Sequence, residues 1–574
     1  MNEYKNIIDN INNNNLDDAE KICRQTNNFE NNHLIQNFLG IINAKKNKFD
    51  SAEKNFIKSF SLEKNFEQSI KNLYLLYLKQ RKISPLLDCA KKLININKND
   101  PSYNYFLALS LEFNNYFNEA VKFYKKSIDL NYVEKRNAYN NIGNILLRQK
   151  KQLLSLKYFK KAYELDKKNI HIIANLLSNY VVLRDTSNLE FYLKKLYSID
   201  KNSRLFLNYK AELLILKNEI DQAKEILNQN LDDVRFTTKL IGIHFNTGEY
   251  QIGKDLFYKI KNKIYNDPNY NNFIATTLLY DGNFEEGFKF YDKRNSKFVR
   301  EYSNINEWRG ESLDNKKILV YFEQGLGDTL QFSKYIVPLL KICKNVTFLV
   351  QEKLADLYNK NIDGLNIVSK INIDNENFDY KIDLGSLIKF FYKEKIDNSK
   401  LIINTQKKFI QNKFIKIDKS KLNVGIVWSG SNYGPNEPYR SISLENLKKL
   451  FSLNINFYSL QSEIRDNDAE YFKSLNINNC GNFDLNEISK IIINLDLVIS
   501  TDTSILHLSA ILDKETWGIL SLYPDWRWGE FQKINPYKSL KLFKQNKFND
   551  WHDTISDIYN QLKIRLHKKK NEYK

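Results

Sequence analysis

Across 574 residues methionine occurs once, cysteine four times, histidine six times, proline eight times and glycine only 18 times. Each scarcity closes off a class of protein. Cys23, Cys89, Cys343 and Cys480 stand far apart with no Cys-x-x-Cys spacing, so the sequence supports neither a zinc site nor a disulfide framework. A reducing, cytosolic compartment is the natural expectation. So little glycine and proline argues against collagen-like and low-complexity chains. No stretch approaches the ~18 uninterrupted apolar residues of a membrane span. Met1 to Asn15 is polar and Asn-rich, without the apolar core of a signal peptide.

What is present is ordinary globular material, 42% hydrophobic and 27% charged. At roughly 150 residues per domain, the length accommodates three or four domains, or a long repeat array plus a catalytic unit. The unusual number is the formal net charge of +19, which points first to a polyanionic partner. Yet only 14 of the 87 basic residues are arginine, and the lysines are spread along the chain rather than gathered into blocks. With no nucleic-acid-binding motif and no basic–aromatic cluster, no nucleic-acid partner is expected. The abundance of Lys, Asn, Ile, Tyr and Phe fits an AT-biased coding sequence.

The first half is periodic. Small residues recur twelve apart, each pair followed four residues later by a large one: Gly40, Ala52 and Phe56; Ala108, Ala120 and Tyr124; Gly143, Ser155 and Phe159; Ala211, Ala223 and Leu227; Ala275, Gly287 and Tyr291. Ile241, Gly253 and Phe257 fit with a large residue in the first place. This spacing puts small side chains on facing positions of two antiparallel helices, with the large one plugging the next pair. It resembles the tetratricopeptide repeat, whose period is ~34 residues, although residues 60–100 and 165–205 hold only degenerate copies. Such arrays offer an extended concave surface to partner proteins.

The second half alternates short apolar runs with turn signals. Lys317–Phe322 reads as a buried strand entering Glu323-Gln-Gly-Leu-Gly-Asp328, then a helix from Thr329 to about Leu340. Gly325 and Gly327 allow a tight turn. Asp328 at a helix start is either functional or simply a good cap. Further strands are expected at Val346–Val350, Tyr380–Leu384, Asn423–Trp428, Asn456–Leu460, Leu497–Ser500 and Thr516–Leu520, with Ser443 capping a helix. Two such series separated by the Lys-rich stretch 400–421 predict two Rossmann-like lobes of parallel sheet, with ligands in the cleft between them. The expected division is a helical array over 1–295, a connection over 296–316, and lobes over 317–420 and 421–574.

The strongest local constellation is Ser500-Thr-Asp502-Thr503-Ser504, followed by His507. A strand ends, polar residues fill the turn, and a helix begins with free N–H groups that suit a diphosphate. Capping alone would equally account for Asp502 and Thr503, and a core role for His507. Asp466-Asn-Asp468 spells a metal-binding Asp-x-Asp, but its polar surroundings read as a solvated turn.

Taken in order, Gly282–Tyr291, Trp308-Arg-Gly310, Glu323–Phe332, Val424–Trp428, Tyr458-Ser-Leu-Gln461, Asp502-Thr503 with His507, and Pro524-Asp-Trp-Arg-Trp528 resemble bacterial tetratricopeptide-repeat glycosyltransferases. The catalytic half of such proteins is similar to the heptosyltransferases of glycosyltransferase family 9. The resemblance implies an α-solenoid followed by a two-lobed GT-B region, with the acceptor on the first lobe and the nucleotide sugar on the second. It implies a metal-independent, inverting transfer of a hexose or heptose, without a cofactor, to a protein or glycan acceptor recruited by the array. Asp328 becomes the candidate general base and a catalytic residue together with His507, and Asp502, Thr503 and Ser504 become donor contacts, with His507 matching a sugar contact on the same turn. Ser429 and Arg440 fall in a phosphate-facing loop, although heptosyltransferases favour lysine there, and Glu487 falls near a ribose contact. Gln324, Gln461, Trp526, Arg527 and Trp528 are expected at the cleft. The rival expectation is a non-catalytic scaffold on a degenerate transferase fold.

Overall fold

A computed structural model describes residues 2–64, 66–149, 151–294, 304–358, 361–371, 376–396, 417–431, 437, 439–534 and 537–572. The chain divides into two compact units, Met1–Ala223 and Lys224–Lys574.

The first unit is a tetratricopeptide-like stack of helical hairpins. The Gly143–Ser155–Phe159 set lies on the pair Lys135–Arg148 and Gln152–Leu165. A Cβ at Gly143 would collide with the Phe159 ring, so the glycine is what lets the ring close over its own hairpin. The same ring also joins Ile172 and Ile173 of the following helix in one core, which is the expected plug. The degenerate stretches fold as hairpins too, Glu67–Gln80 with Ile83–Ile96 and Ile170–Leu183 with Thr186–Ile199. The Asn-rich composition has a structural use. Eight of the eleven non-glycine residues with positive φ among the described residues are Asn, including Asn47 and Asn115 in hairpin turns and Asn131 in the link between two hairpins. Asn tolerates the left-handed conformation better than most residues, so it fills turns that a glycine-poor chain would otherwise leave strained. Asn32, Asp100 and Asn169 cap helices by accepting backbone N–H bonds.

The second unit begins with the last hairpins, Val234–Asn246 with Tyr250–Ile264 and Asn271–Tyr280 with Phe284–Tyr291. They share one core with the sheets: Phe288 and Tyr291 pack beside Trp526 and Phe531, and Tyr280 lies 4.3 Å from Tyr523 between ring centroids. The repeats from Lys224 onward are therefore part of the same compact body as the α/β region.

That region holds two parallel sheets. The first contains β1 (Asn306–Glu307), β2 (Lys317–Tyr321), β3 (Asn345–Leu349), β4 (Leu365–Val368) and β5 (Tyr380–Asp383) in the order β1-β5-β2-β3-β4. The second contains β6 (Asn423–Val427), β7 (Asn456–Ser459), β8 (Asn478–Asn479), β9 (Leu497–Thr501), β10 (Thr516–Leu520) and β11 (Leu540–Lys544) in the order β11-β10-β9-β6-β7-β8. β6, β9 and β10 are buried at every position, as strands covered by helices on both faces must be. This is the α/β architecture expected of a GT-B region.

Several local expectations change. The segment assigned to a connection supplies β1 as an edge strand on β5 and buries Trp308 against Phe390. Residues 295–303 of that connection, and 397–416 of the Lys-rich stretch, lie outside the described residues. The helix expected from Thr329 to Leu340 is two helices, Leu326–Phe332 and Ile336–Ile342, joined by a 3₁₀ turn at Ser333–Tyr335. Pro338 explains the break, because it offers no N–H to the carbonyl of Lys334 and its ring crowds that turn. Ser443 precedes a 3₁₀ turn and makes no side-chain cap; the Leu444 N–H goes to the Asp468 carboxylate at 2.9 Å. Asp466-Asn-Asp468 is accordingly no solvated turn. It opens the helix Asp466–Ser474, and the buried Asp468 also accepts the Trp428 indole N–H at 2.8 Å. Among the described residues no helix is long and apolar enough to cross a membrane.

Candidate active site

Each sheet has one topological switch point, and ligands in such folds bind outside the strand ends there. In the first sheet it lies between β2 and β5, in the second between β6 and β9. The segments that follow β2, β6 and β9 line one cleft of about 1120 Å³, and Arg294, paired with Asp383 at the end of β5, lines it too. Of the fifteen residues named from sequence as catalytic, donor-binding, loop or cleft positions, the structure brings thirteen to its walls: Gln324, Gly325, Gly327, Asp328, Ser429, Arg440, Gln461, Asp502, Thr503, Ser504, His507, Trp526 and Arg527. Trp528, expected at the cleft, is buried behind it and stacks on His507. Glu487 is the other exception. Its carboxylate turns back to accept the Asp484 N–H in a capping box, and Asp484 is the acid that lines the cleft instead.

On the first lobe the helix starts at Leu326, inside the glycine turn, so Asp328 sits in its first turn rather than at the cap. One carboxylate oxygen accepts the Gly325 N–H at 2.9 Å; the other is ion-paired with Arg527 from the second lobe. Arg527 is held in turn by Asp525, Nε to Oδ1, at 2.7 Å. Gly327 allows close approach: a Cβ there would stand 3.1 Å from His507 Cδ2 and 3.5 Å from Ser504 Cα. The turn thus packs directly on the N-terminal end of the helix Ser504–Ile511.

On the second lobe Thr503 begins that helix without a side-chain cap, its hydroxyl meeting Ser500 Oγ at 3.0 Å. Capping does not account for Thr503. His507, expected as a catalytic or donor-contacting residue, lines the cleft yet is only 2% exposed. Its Nδ1 is 3.0 Å from the Tyr537 hydroxyl, its Nε2 3.6 Å from Asp502 Oδ1, and its ring stacks on Trp528. The histidine braces the Asp502 turn from behind. Burial alone would raise the Asp502 pKa, but His507, with the Arg440 charge further off, holds it below the ordinary value. Arg440 spans the β6/β9 crevice, donating to the Asp502 carbonyl at 3.2 Å while its Nε is bound by the buried Glu437 at 2.9 Å. Gln461 clamps the end of β6, accepting the Ser429 N–H and donating to the Ser429 carbonyl. The Ser429 hydroxyl is buried at the cleft with no partner among the described residues.

Residues 453–549 match the family described as glycosyltransferase family 9 (heptosyltransferase), and residues 101–133 and 137–169 match the tetratricopeptide repeat. The chain carries tetratricopeptide repeats and a segment that matches family 9. The family 9 match covers β7 to β11, the wall built by Asp502, His507 and Arg527. Solved structures similar to part of the chain include a MamA fragment from Desulfovibrio magneticus (16% identity, 29% of this chain and 95% of that one, TM-score 0.27). Others are Pseudomonas aeruginosa PilF (13%, 36% and 94%, 0.31) and YrrB, described as a tetratricopeptide-repeat protein with an unusual peptide-binding site (16%, 31% and 92%, 0.28). No curated protein matches the sequence.

Beside the family 9 wall, the structure shows a cluster that sequence reasoning missed. Arg294, just past the last repeat helix, reaches the β2/β5 switch point and pairs with Glu323 at 2.6 Å and with Asp383. Its guanidinium lies 4.0 Å over the Tyr291 ring, and the Tyr291 hydroxyl accepts from Gln324 at 2.6 Å. Burial opposes the arginine's charge, but Asp383, Tyr291 and Glu323 keep it firmly protonated. Glu323 lies on the cleft wall, and burial followed by the Asp383 charge pushes its pKa up to about 7 against the pull of Arg294. The available signal was the rarity of arginine. In a chain that uses lysine wherever a charge suffices, an arginine marks a place needing a planar fork.

Proposed function

We propose that the protein is an inverting glycosyltransferase that moves a sugar from a nucleoside-diphosphate donor to a hydroxyl of a protein or glycan acceptor recruited by the repeats. The observation that carries this is the placement of Asp328 and the N-terminus of helix Ser504–Ile511 on facing walls of one cleft, each at a switch point. The acceptor oxygen attacks the anomeric carbon from the first-lobe side, its proton passing to Asp328. The bond from that carbon to the diphosphate oxygen breaks, and the nucleoside diphosphate leaves with the electron pair. Backbone N–H groups at Thr503 and Ser504, the Ser429 hydroxyl and an arginine meet its charge. This scheme takes neither a metal nor a cofactor. His507 acts by holding Asp502 in place.

A donor-hydrolysis screen on the full chain, followed by Asp328→Asn and His507→Ala in the responding assay, tests the reading. Asn keeps the bond to the Gly325 N–H, so loss of transfer with retained fold is the expected result for Asp328→Asn. Undiminished transfer in both variants refutes the site. The rival scaffold reading draws on the neutralisation of Asp328 by Arg527. Thermal stabilisation by nucleoside diphosphates separates the two, since a scaffold gives none.

A further inference from the structure

Among the described residues, every arginine on the cleft wall is already occupied. Arg294 serves Glu323 and Asp383, Arg440 serves Glu437, and Arg527 serves Asp328 and Asp525. Two consequences conflict with simple chemistry at this site. A carboxylate paired with a guanidinium is a poor proton acceptor, and a guanidinium shared by two carboxylates has little charge to offer a diphosphate. One movement resolves both. Arg527 is anchored through Nε to its neighbour Asp525, while its terminal Nη1 holds Asp328 across the cleft. Its guanidinium stands 5.7 Å over the Phe332 ring, a contact compatible with swinging about the anchored Nε.

On the donor reading given above, we propose that Arg527 is a donor-gated latch: the diphosphate draws its terminal nitrogens from Asp328, and so frees the carboxylate to act as base only when a donor is bound. The arginine is then the cation the leaving group needs, and Asp328 becomes competent at the moment the donor is in place. Besides Asp328 and Asp525, the titratable groups facing Arg527 are Tyr291 from the last repeat helix and Tyr537 from the second lobe. Both are buried phenols whose pKa values are raised, so neither competes for the guanidinium as an anion near neutral pH.

The latch predicts a sign that a structural ion pair would not give. The full chain is titrated calorimetrically with UDP, GDP, ADP and CDP, and the tightest binder is carried into a cycle of wild type, Asp328→Asn, Arg527→Gln and the double variant. Removing Asp328 releases the arginine and should tighten diphosphate binding about fivefold. Arg527→Gln should weaken it about tenfold, as expected for one charge-assisted bond. In the Arg527→Gln background, Asp328→Asn should then gain less than about twofold. Should Arg527→Gln not fold, Arg527→Lys replaces it, since an ammonium lacks the fork that bridges both carboxylates and should cut the Asp328→Asn gain at least threefold. An equal gain in both backgrounds means only that a negative charge was removed, and overturns the latch while leaving the donor site standing. Unchanged or weaker binding in Asp328→Asn does the same. No binding by wild type to any of the four removes the donor site, and the latch with it.

Discussion

Arg294 gives the sharpest test of how the last repeat is joined to the first lobe. Its side chain is 8% exposed, and those of its partners Glu323 and Asp383 are 4% and 7% exposed. At an effective dielectric near 20, each contact is worth roughly 5 kcal/mol before desolvation is counted. Much of that is cancelled by burying the ions, so the intact triad adds little net stability. Its disruption is another matter, since removing one partner of a buried pair costs about 3–5 kcal/mol by stranding the charge that remains. For Arg294→Gln in a unit of about 350 residues, unfolding entropy of about 2.1 cal/mol/K per residue converts this loss to a melting shift of about 4–7 °C. The pH dependence fixes the cause. Because the folded pKa of Glu323 is raised, from 4.5 to about 7, the stability linked to its proton is full below about pH 4.5 and is lost as pH rises through about 7. At pH 5 Glu323 is protonated and needs no cation, so Arg294→Gln should cost less there than at pH 8. Adding Glu323→Gln to Arg294→Gln should recover part of the loss at pH 8. Calorimetric scans at both pH values decide it: a shift under about 1 °C, or a larger one at pH 5, refutes the stranded-charge argument.

Three further outcomes are expected. Gly143→Ala should cost about 1–3 kcal/mol, because its Cβ displaces the Phe159 ring; Gly242→Ala, with nothing within 4 Å of the new atom, should stabilise its helix by about 0.5–1 kcal/mol. Hydrogen exchange of the two hairpins reads both, and equal effects would contradict the packing account. Asp468→Ala strands the Trp428 indole N–H and the Leu444 N–H, so it should cost about 2–4 kcal/mol, visible in tryptophan fluorescence against urea; a loss below about 1 kcal/mol sinks the assigned role. All four cysteines are buried, with Cys89 pushed up to about 11 and Cys480 to about 12 by burial. Ellman's reagent at pH 8 should therefore label none in the native protein and four after unfolding, and rapid native labelling would contradict that burial.

The repeat sets were legible because two helices packed through small residues leave a periodic trace. The buried parallel strands were legible because a short, unbroken apolar run between turn residues is stable only when both of its faces are covered. β1, β4, β8 and β11 escaped for the opposite reason. β1 and β8 are two residues long, and β4 and β11 carry polar residues at sheet edges where burial does not enforce an apolar run. The site was legible where chemistry and turn geometry coincide, as at Gly325–Asp328 and Asp502–Ser504. It was not legible where the partner is remote in sequence. Nothing around Asp328 announces Arg527, 199 residues away, and nothing in Glu323 announces Arg294 and Asp383. His507 shows a different limit: spacing placed it on the helix at the cleft wall, but nothing in the sequence announced the packing against Trp528 and Tyr537 that buries it beside Asp502.

The distribution of charge decides what the +19 is for. Among the described residues lining the cleft, the cations are Arg294, Lys353, Arg440 and Arg527, and the acids are Glu323, Asp328, Glu463, Asp484, Asp502 and Asp525. The cleft is therefore no basic bowl, and it draws no net positive field from its own walls. Among the described residues only Lys353 of the lysines lines the cleft, and others lie on exposed helix faces such as Lys167 and Lys194, where surface pairs contribute little. A diphosphate entering these acidic surroundings cannot be held by bulk charge. On the proposed function, it would be held by fixed N–H donors and by the cation that the proposed latch releases. The same arginine scarcity that makes the sequence look lysine-driven thus makes the few guanidiniums informative: among the described residues three line this one cleft, each held by carboxylates. A site built this way gains specificity for ligands that exchange partners with those carboxylates, and gives up the indiscriminate attraction for polyanions that the net charge alone would suggest.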